Sequence, residues 1–124
     1  MKVLVVDDSQ MTRMVVAKTL RTFAEIEVTE AEDGRKAIEA FAQKEFDLVF
    51  SDWNMPNMNG LELLGEIRQR NKTVPVIMIT TEGSKDRVQS AIALGVSDYL
   101  LKPFTPVALR DKVQKWVAAG TTAP

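Results

Sequence analysis

One α/β domain, doubly wound around a parallel sheet, is the fold class this sequence predicts, and three observations predict it. Short apolar runs recur five times, each bounded by acids or turn-forming residues, as strands buried on both faces do. Amphipathic stretches separate them, with apolar residues three and four apart, which is helical spacing. The 124 residues suit one domain, and 45% of them are apolar, enough for a core. Strands and helices alternating in this way indicate a parallel sheet with helices on both faces.

The elements follow in order. Val3 to Val6 is the first strand, ending at Asp7 and Asp8, and Ser9 can cap the helix that carries Val16, Leu20 and Phe23. Val28 to Ala31 is flanked by acids and reads as an edge strand. Asp33 and Gly34 open a second helix with Ala37, Ile38 and Phe41. Asp47 to Ser51 is the third strand. It stops at Asp52, and a loop rich in Pro and Asn leads to Asn59 and Gly60, which start a helix carrying Leu63, Leu64 and Ile67. Val76 to Ile79 is the fourth strand, running into Thr80 and Thr81. Ser84 caps a helix with Val88, Ala91 and Ile92, and Gly95 is placed to end it. Tyr99 to Leu101 is the fifth strand, ending at Lys102 and Pro103. Thr105 then caps a last helix that has Pro106 at its first position and Leu109, Val113 and Trp116 inside. The domain is expected to span 1–119, with 120–124 a frayed tail.

Composition excludes several function classes. There is no cysteine and no histidine, so disulfides, thiol catalysis and Ser-His or Cys-His chemistry are ruled out. No G-x-G-x-x-G follows the first strand and no P-loop lysine appears, which argues against nucleotide binding of those kinds. No apolar stretch approaches the ~20 residues of a membrane span, and the first apolar run is too short for a secretory signal. A cytoplasmic monomer is expected. The net charge of −1 offers no field for coating nucleic acid, so neither nucleic acid nor membrane is an expected partner. The charge is uneven, though. Residues 1–83 hold 10 basic and 14 acidic side chains, and residues 84–124 hold 6 and 3.

Five strands favour a flavodoxin-like (βα)5 arrangement, order 2-1-3-4-5, over the Rossmann order. In that order the strands ending at Asp7–Asp8, Asp52, Thr80 and Lys102 are neighbours, and their carboxyl ends make one rim. Three carboxylates there repel, at about 3 kcal/mol per pair for ~5 Å and an effective dielectric of ~20. One lysine cannot neutralise three acids. The rim calls for a hard divalent cation with oxygen ligands, and Mg2+ fits best. A carboxylate beside such a cation, a lysine and a hydroxyl has the parts for in-line phosphoryl transfer.

Four segments carry a resemblance: Val3 to Ser9 (V-L-V-V-D-D-S), Asp52 to Gly60 (D-W-N-M-P-N-M-N-G), Met78 to Glu82 (M-I-T-T-E) and Tyr99 to Phe104 (Y-L-L-K-P-F). In order and separation they resemble bacterial two-component response-regulator receiver domains. The chain looks most like the single-domain chemotaxis regulators, through Trp53–Asn54 and Thr80–Thr81–Glu82. A chemotaxis regulator is also a standard example of the 2-1-3-4-5 order, so that order is borrowed from the resemblance.

The resemblance implies a phosphorylation-activated switch and not an enzyme in the ordinary sense. Asp52 would accept a phosphoryl group from a sensor histidine kinase. Asp8, Asp52 and the Asn54 backbone carbonyl would ligate Mg2+, with Asp7 acting through water. Lys102 would pair with the phosphoryl group, its bond to Pro103 is expected to be cis, and Thr80 would swing to the phosphate. Tyr99 would then turn inward and re-shape the face of the fourth helix, fifth strand and fifth helix, through which an output protein such as a flagellar motor component would bind. By the same resemblance, Asn54 and Glu82 would flank the path of the water that ends the phosphorylated state.

That output face is read as Lys85, Val88, Ile92, Val96, Tyr99, Arg110 and Lys112. With Arg87 and Lys115 nearby, it is expected to prefer an acidic partner. Trp53 is expected to be a partly exposed lid, Trp116 to be structural, and Met55 and Met58 to pack the loop. Two other readings stay open. One is a Mg2+-dependent phosphohydrolase of the haloacid-dehalogenase type, although those resemble D-x-D-x-[TV] and here the acids are adjacent. The other is a receiver taken from a larger DNA-binding regulator, suggested by the Thr/Ala/Pro ending alone.

Overall fold

A computed structural model describes residues 1–23, 25–81 and 84–122. Its elements alternate as β1 (Lys2–Val6), α1 (Gln10–Leu20), β2 (Glu27–Ala31), α2 (Gly34–Gln43), β3 (Leu48–Asp52), α3 (Gly60–Arg70), β4 (Val76–Thr80), α4 (Lys85–Ala93), β5 (Asp98–Leu101) and α5 (Pro106–Thr122). All neighbouring strands pair in parallel, in the order β2-β1-β3-β4-β5. The doubly wound, flavodoxin-like fold is therefore present, with β2 at an edge. No helix among the described residues is long and apolar enough to cross a membrane.

Strand alternation divides the core in two. Val3, Val5, Leu48, Phe50, Ile77, Ile79 and Leu100 point to one face, where Val16 and Leu20 of α1 and Leu109 and Val113 of α5 cover them. Leu4, Val6, Val49, Val76 and Met78 point to the other, under Ala37 of α2, Leu63, Leu64 and Ile67 of α3 and Ala91 of α4. Successive residues of a strand must face opposite ways. The same parity governs the strand ends. Asp52 follows Phe50, and Lys102 follows Leu100; Trp53, Thr80 and Tyr99 belong to the opposite set.

The expected helix starts are present, each with a side-chain oxygen accepting a backbone N–H. Ser9 takes Thr12 at 3.3 Å, Asp33 takes Lys36 at 2.9 Å, Ser84 takes Arg87 at 3.4 Å and Thr105 takes Ala108 at 3.0 Å. Asn59 takes Glu62 at 2.8 Å, and Glu62 accepts back from Asn59 at 3.1 Å, a full capping box. Each cap stabilises its helix by about 1 kcal/mol. Gly60 is required where it stands, because a Cβ there would lie 2.3 Å from the Asp52 carbonyl oxygen. Gly95 ends α4 at φ 91°, a conformation that favours glycine.

Some element readings shift. α1 stops at Leu20, so Phe23 lies in the following turn and packs on the core from there. β3 includes Asp52, because the Trp53 N–H still donates to Ile79 and continues the ladder. Ile92 of α4 is 62% exposed and no part of the core, since Ala91 is the α4 residue that turns inward. α5 runs on to Thr122. Of the tail expected at 120–124, Ala123 and Pro124 lie outside the described residues, as does Glu82.

Candidate functional site

The carboxyl ends of β1, β3 and β5 bring three charged side chains together because parity aims them alike. Lys102 Nζ lies 3.1 Å from Asp52 Oδ1 and 3.3 Å from Asp7 Oδ2. Asp7 and Asp52 are buried, at 2% and 6% exposure, while Asp8 beside them is exposed. All three acids can offer an oxygen within 4.8 Å of the others. Thr80 is fully buried at the end of β4, and its carbonyl accepts the Lys102 N–H at 2.8 Å. The Lys102–Pro103 peptide is cis, as expected.

The electrostatics follow from burial without full neutralisation. Desolvation pushes the Asp7 carboxyl above the usual carboxylate range; the Ser9 amide and Lys102 oppose it, and the Asp8 charge adds to it. Desolvation and then the charge of Asp7 raise Asp52, against the pull of Lys102. Burial alone would lower Lys102, but Asp7 and Asp52 outweigh it and hold the ammonium above its ordinary pKa. Two buried acids and a third at the edge thus share one ammonium. A hard divalent ion such as Mg2+ fits this set, because every donor is an anionic oxygen and the negative charge exceeds what Lys102 cancels.

Around this rim the other named residues divide. Trp53 is no exposed lid; it is 5% exposed, because its parity turns it under α4. There the Arg87 guanidinium lies 5.0 Å from its ring centroid. Tyr99 is half-buried and donates its hydroxyl to the Arg87 carbonyl at 3.3 Å. Met55 and Met58, expected to pack the loop, are half-buried against the hydrophobic core, and Asn54 is exposed.

Some of the basic residues expected to form an output face are paired within the chain. Lys112 and Lys115 pair with Asp98 at 2.8 and 3.4 Å. Arg110 lines a depression with Lys18 and Thr19 of α1 and Thr22 in the turn after it. Lys85 and Ile92 are exposed, and Val88, Val96 and Tyr99 are half-buried. Asp98 was the residue missed. Its only signal in the sequence is an acid opening the fifth strand, in a segment otherwise poor in acids.

A five-stranded, doubly wound sheet whose acidic rim is bridged by one lysine defines the receiver-domain class. Residues 3–114 match the family described as the response regulator receiver domain, and the chain belongs to that family. Among its relatives, chemotaxis protein CheY1 of Helicobacter pylori is 45% identical over 124 residues, covering 98% of each chain. Chemotaxis protein CheY of Pseudomonas aeruginosa is 38% identical over 93% of this chain and 94% of its own. The solved structure of Vibrio cholerae chemotaxis protein CheY4 superposes with a TM-score of 0.86 at 40% identity, covering 92% of this chain and 96% of that one.

Proposed function

We propose that this chain is a phosphorylation-activated signalling switch of the chemotaxis type. The observation that carries the reading is Lys102 bridging two buried carboxylates that remain under-neutralised. An Asp52 oxygen would attack phosphorus in line, forming an acyl phosphate as the bond from phosphorus to the donor nitrogen breaks and the freed imidazole takes up a proton. With no histidine in this chain, the donor is another molecule, a sensor histidine kinase or a small phosphodonor. Asp8, Asp52 and the Asn54 carbonyl would hold Mg2+, which when bound supplies positive charge against the phosphoryl oxygens. Lys102 would leave Asp7 and Asp52 to bind a phosphoryl oxygen, and the Thr80 hydroxyl would turn toward another.

That movement would draw Tyr99 further inward and alter the face shared by α4, β5 and α5, where an output protein binds, such as a component of the flagellar motor. Lys85, Val88, Ile92 and Val96 make up the α4 side of that face. Asn54, and Glu82 outside the described residues, would tune how fast water ends the state.

The test is uptake of one phosphoryl mass from acetyl phosphate with Mg2+. Asp52→Asn should abolish it. Uptake by that variant at the wild-type rate would sink the assignment.

A further inference from the structure

Helix α4 is tied to different parts of the molecule at its two ends. Of its nine residues only Ala91 is buried, so core packing alone does little to fix its position. Its C-terminal end is tied by a residue of another helix. Arg68, in the last turn of α3, reaches the turn after α4, where Nε and Nη2 donate to the Gly95 carbonyl at 3.0 and 2.8 Å. Nη1 donates to the Asn71 carbonyl at 3.1 Å, and Nη2 also reaches Ser97 Oγ at 3.5 Å. Ser97 Oγ in turn accepts the Val76 N–H at 3.0 Å. One guanidinium fork thus joins the end of α3, the turn after α4 and the start of β4. Charge-assisted, two-pronged bonds of this kind are the strong ones, and a cation at a helix C-terminus also meets the favourable end of its dipole.

The other end of α4 is tied to groups beside the acid rim. Arg87 stacks over Trp53, and its carbonyl accepts a bond from the Tyr99 hydroxyl. Both partners sit beside the acid rim, since Trp53 follows Asp52 and Tyr99 pairs with Met78, two residues before Thr80. A disturbance at the rim therefore reaches α4 at its N-terminal half.

We infer that Arg68 is the pivot of α4, a positioning residue that fixes the helix's C-terminal end so that phosphorylation of Asp52 moves its N-terminal half. The inference rests on the switch reading above. A rod of about 13 Å held at one end turns instead of sliding. Lys85 and Val88 would then move further than the exposed Ile92, and the output face would change mainly at the end nearest the rim.

Hydrogen exchange along α4, with and without beryllium fluoride and Mg2+ as a stable phosphoryl mimic, tests this. 19F NMR reports whether the mimic is bound. In the wild-type chain exchange should change from Arg87 to Ser90 and stay constant from Ile92 to Ser97. Arg68→Gln should bind the mimic equally, speed exchange at Gly95 to Ser97 by roughly tenfold without it, and spread the response over all of α4. Arg68→Lys should fall between, since an ammonium keeps the charge but not the fork. Equal response at both ends of wild-type α4, or a wild-type pattern in Arg68→Gln, would overturn the pivot while leaving the switch intact. Should Arg68→Gln not fold, the wild-type and Arg68→Lys profiles decide. No bound mimic on the wild-type chain would overturn the switch reading, and the pivot with it.

Discussion

Two carboxylate–lysine clusters sit at opposite ends of β5, and their charge balance is inverted. At the rim, two buried acids share Lys102, and desolvation keeps both carboxyls above their ordinary pKa. At the start of the strand, Asp98 alone takes Lys112 at 2.8 Å, Lys115 at 3.4 Å and the Trp116 indole N–H at 2.9 Å. Burial would raise Asp98 as well, but Lys112, Trp116 and the Tyr99 amide outweigh it and pull its pKa down to about 2. The chemistry of the groups is the same and the ratio differs. A surplus of cationic donors makes a staple between β5 and α5; a surplus of acids leaves a demand that a metal ion or phosphoryl chemistry can meet.

Removing the cation from the poorer cluster should do the most damage. Lys102→Met would strand two buried carboxylates, costing about 3 kcal/mol at pH 7 in the absence of metal. Urea melts measure it, and Mg2+ should recover more stability in the variant than in wild type. A variant as stable as wild type would mean that Lys102 is not what offsets these charges.

Removing the acid from the richer cluster should cost less, about 1–2 kcal/mol for Asp98→Asn, since Lys115 is largely exposed. The pH dependence has a definite sign. A depressed carboxyl stabilises the fold fully above its unfolded pKa near 3.8, and that contribution is lost as pH falls through about 2. The gap between variant and wild type should therefore close in acid. A gap constant from pH 5 to pH 2 would contradict the pairing.

The rim should show the opposite sign. Asp7 and Asp52 are raised, so acidification from neutral pH toward 3.8 should stabilise the metal-free protein through them. For the same reason Asp52→Asn should gain about 1 kcal/mol without metal at pH 7. Asp8→Asn should gain less and bind Mg2+ more weakly, and Asp7→Asn should weaken Mg2+ binding less than Asp8→Asn does. Trp53 fluorescence in a Trp116→Phe background follows the titration, and loss of metal-free stability in Asp8→Asn would count against the crowded-acid account.

The smallest effect concerns steering. Asp98 already holds Lys112, so Lys85→Glu alone should slow association of an acidic amphipathic peptide with the phosphorylated protein, by about two- to threefold at low salt. Lys112→Glu should chiefly lower stability. Equal slowing by both charge reversals would restore the broader basic patch.

What the sequence determined alone was local or periodic. Ser9, Asp33, Asn59, Ser84 and Thr105 cap helices through bonds reaching only three residues ahead, and strand runs carry their burial in their own composition. The acid rim was legible because each member ends a strand and the fold class sets those ends side by side. The tertiary structure decided what depends on which helix flank meets which strand. Arg68 reaches Gly95 across 27 residues, and Lys112 reaches Asp98 across 14. Trp53 lies buried because α4 covers it, and Arg110 turns toward α1 although it stands two residues from Lys112. A charge has no fixed meaning along a chain. Whether it steers a partner or is spent inside the molecule depends on the nearest opposite charge, and distant segments supply that charge only when the chain packs.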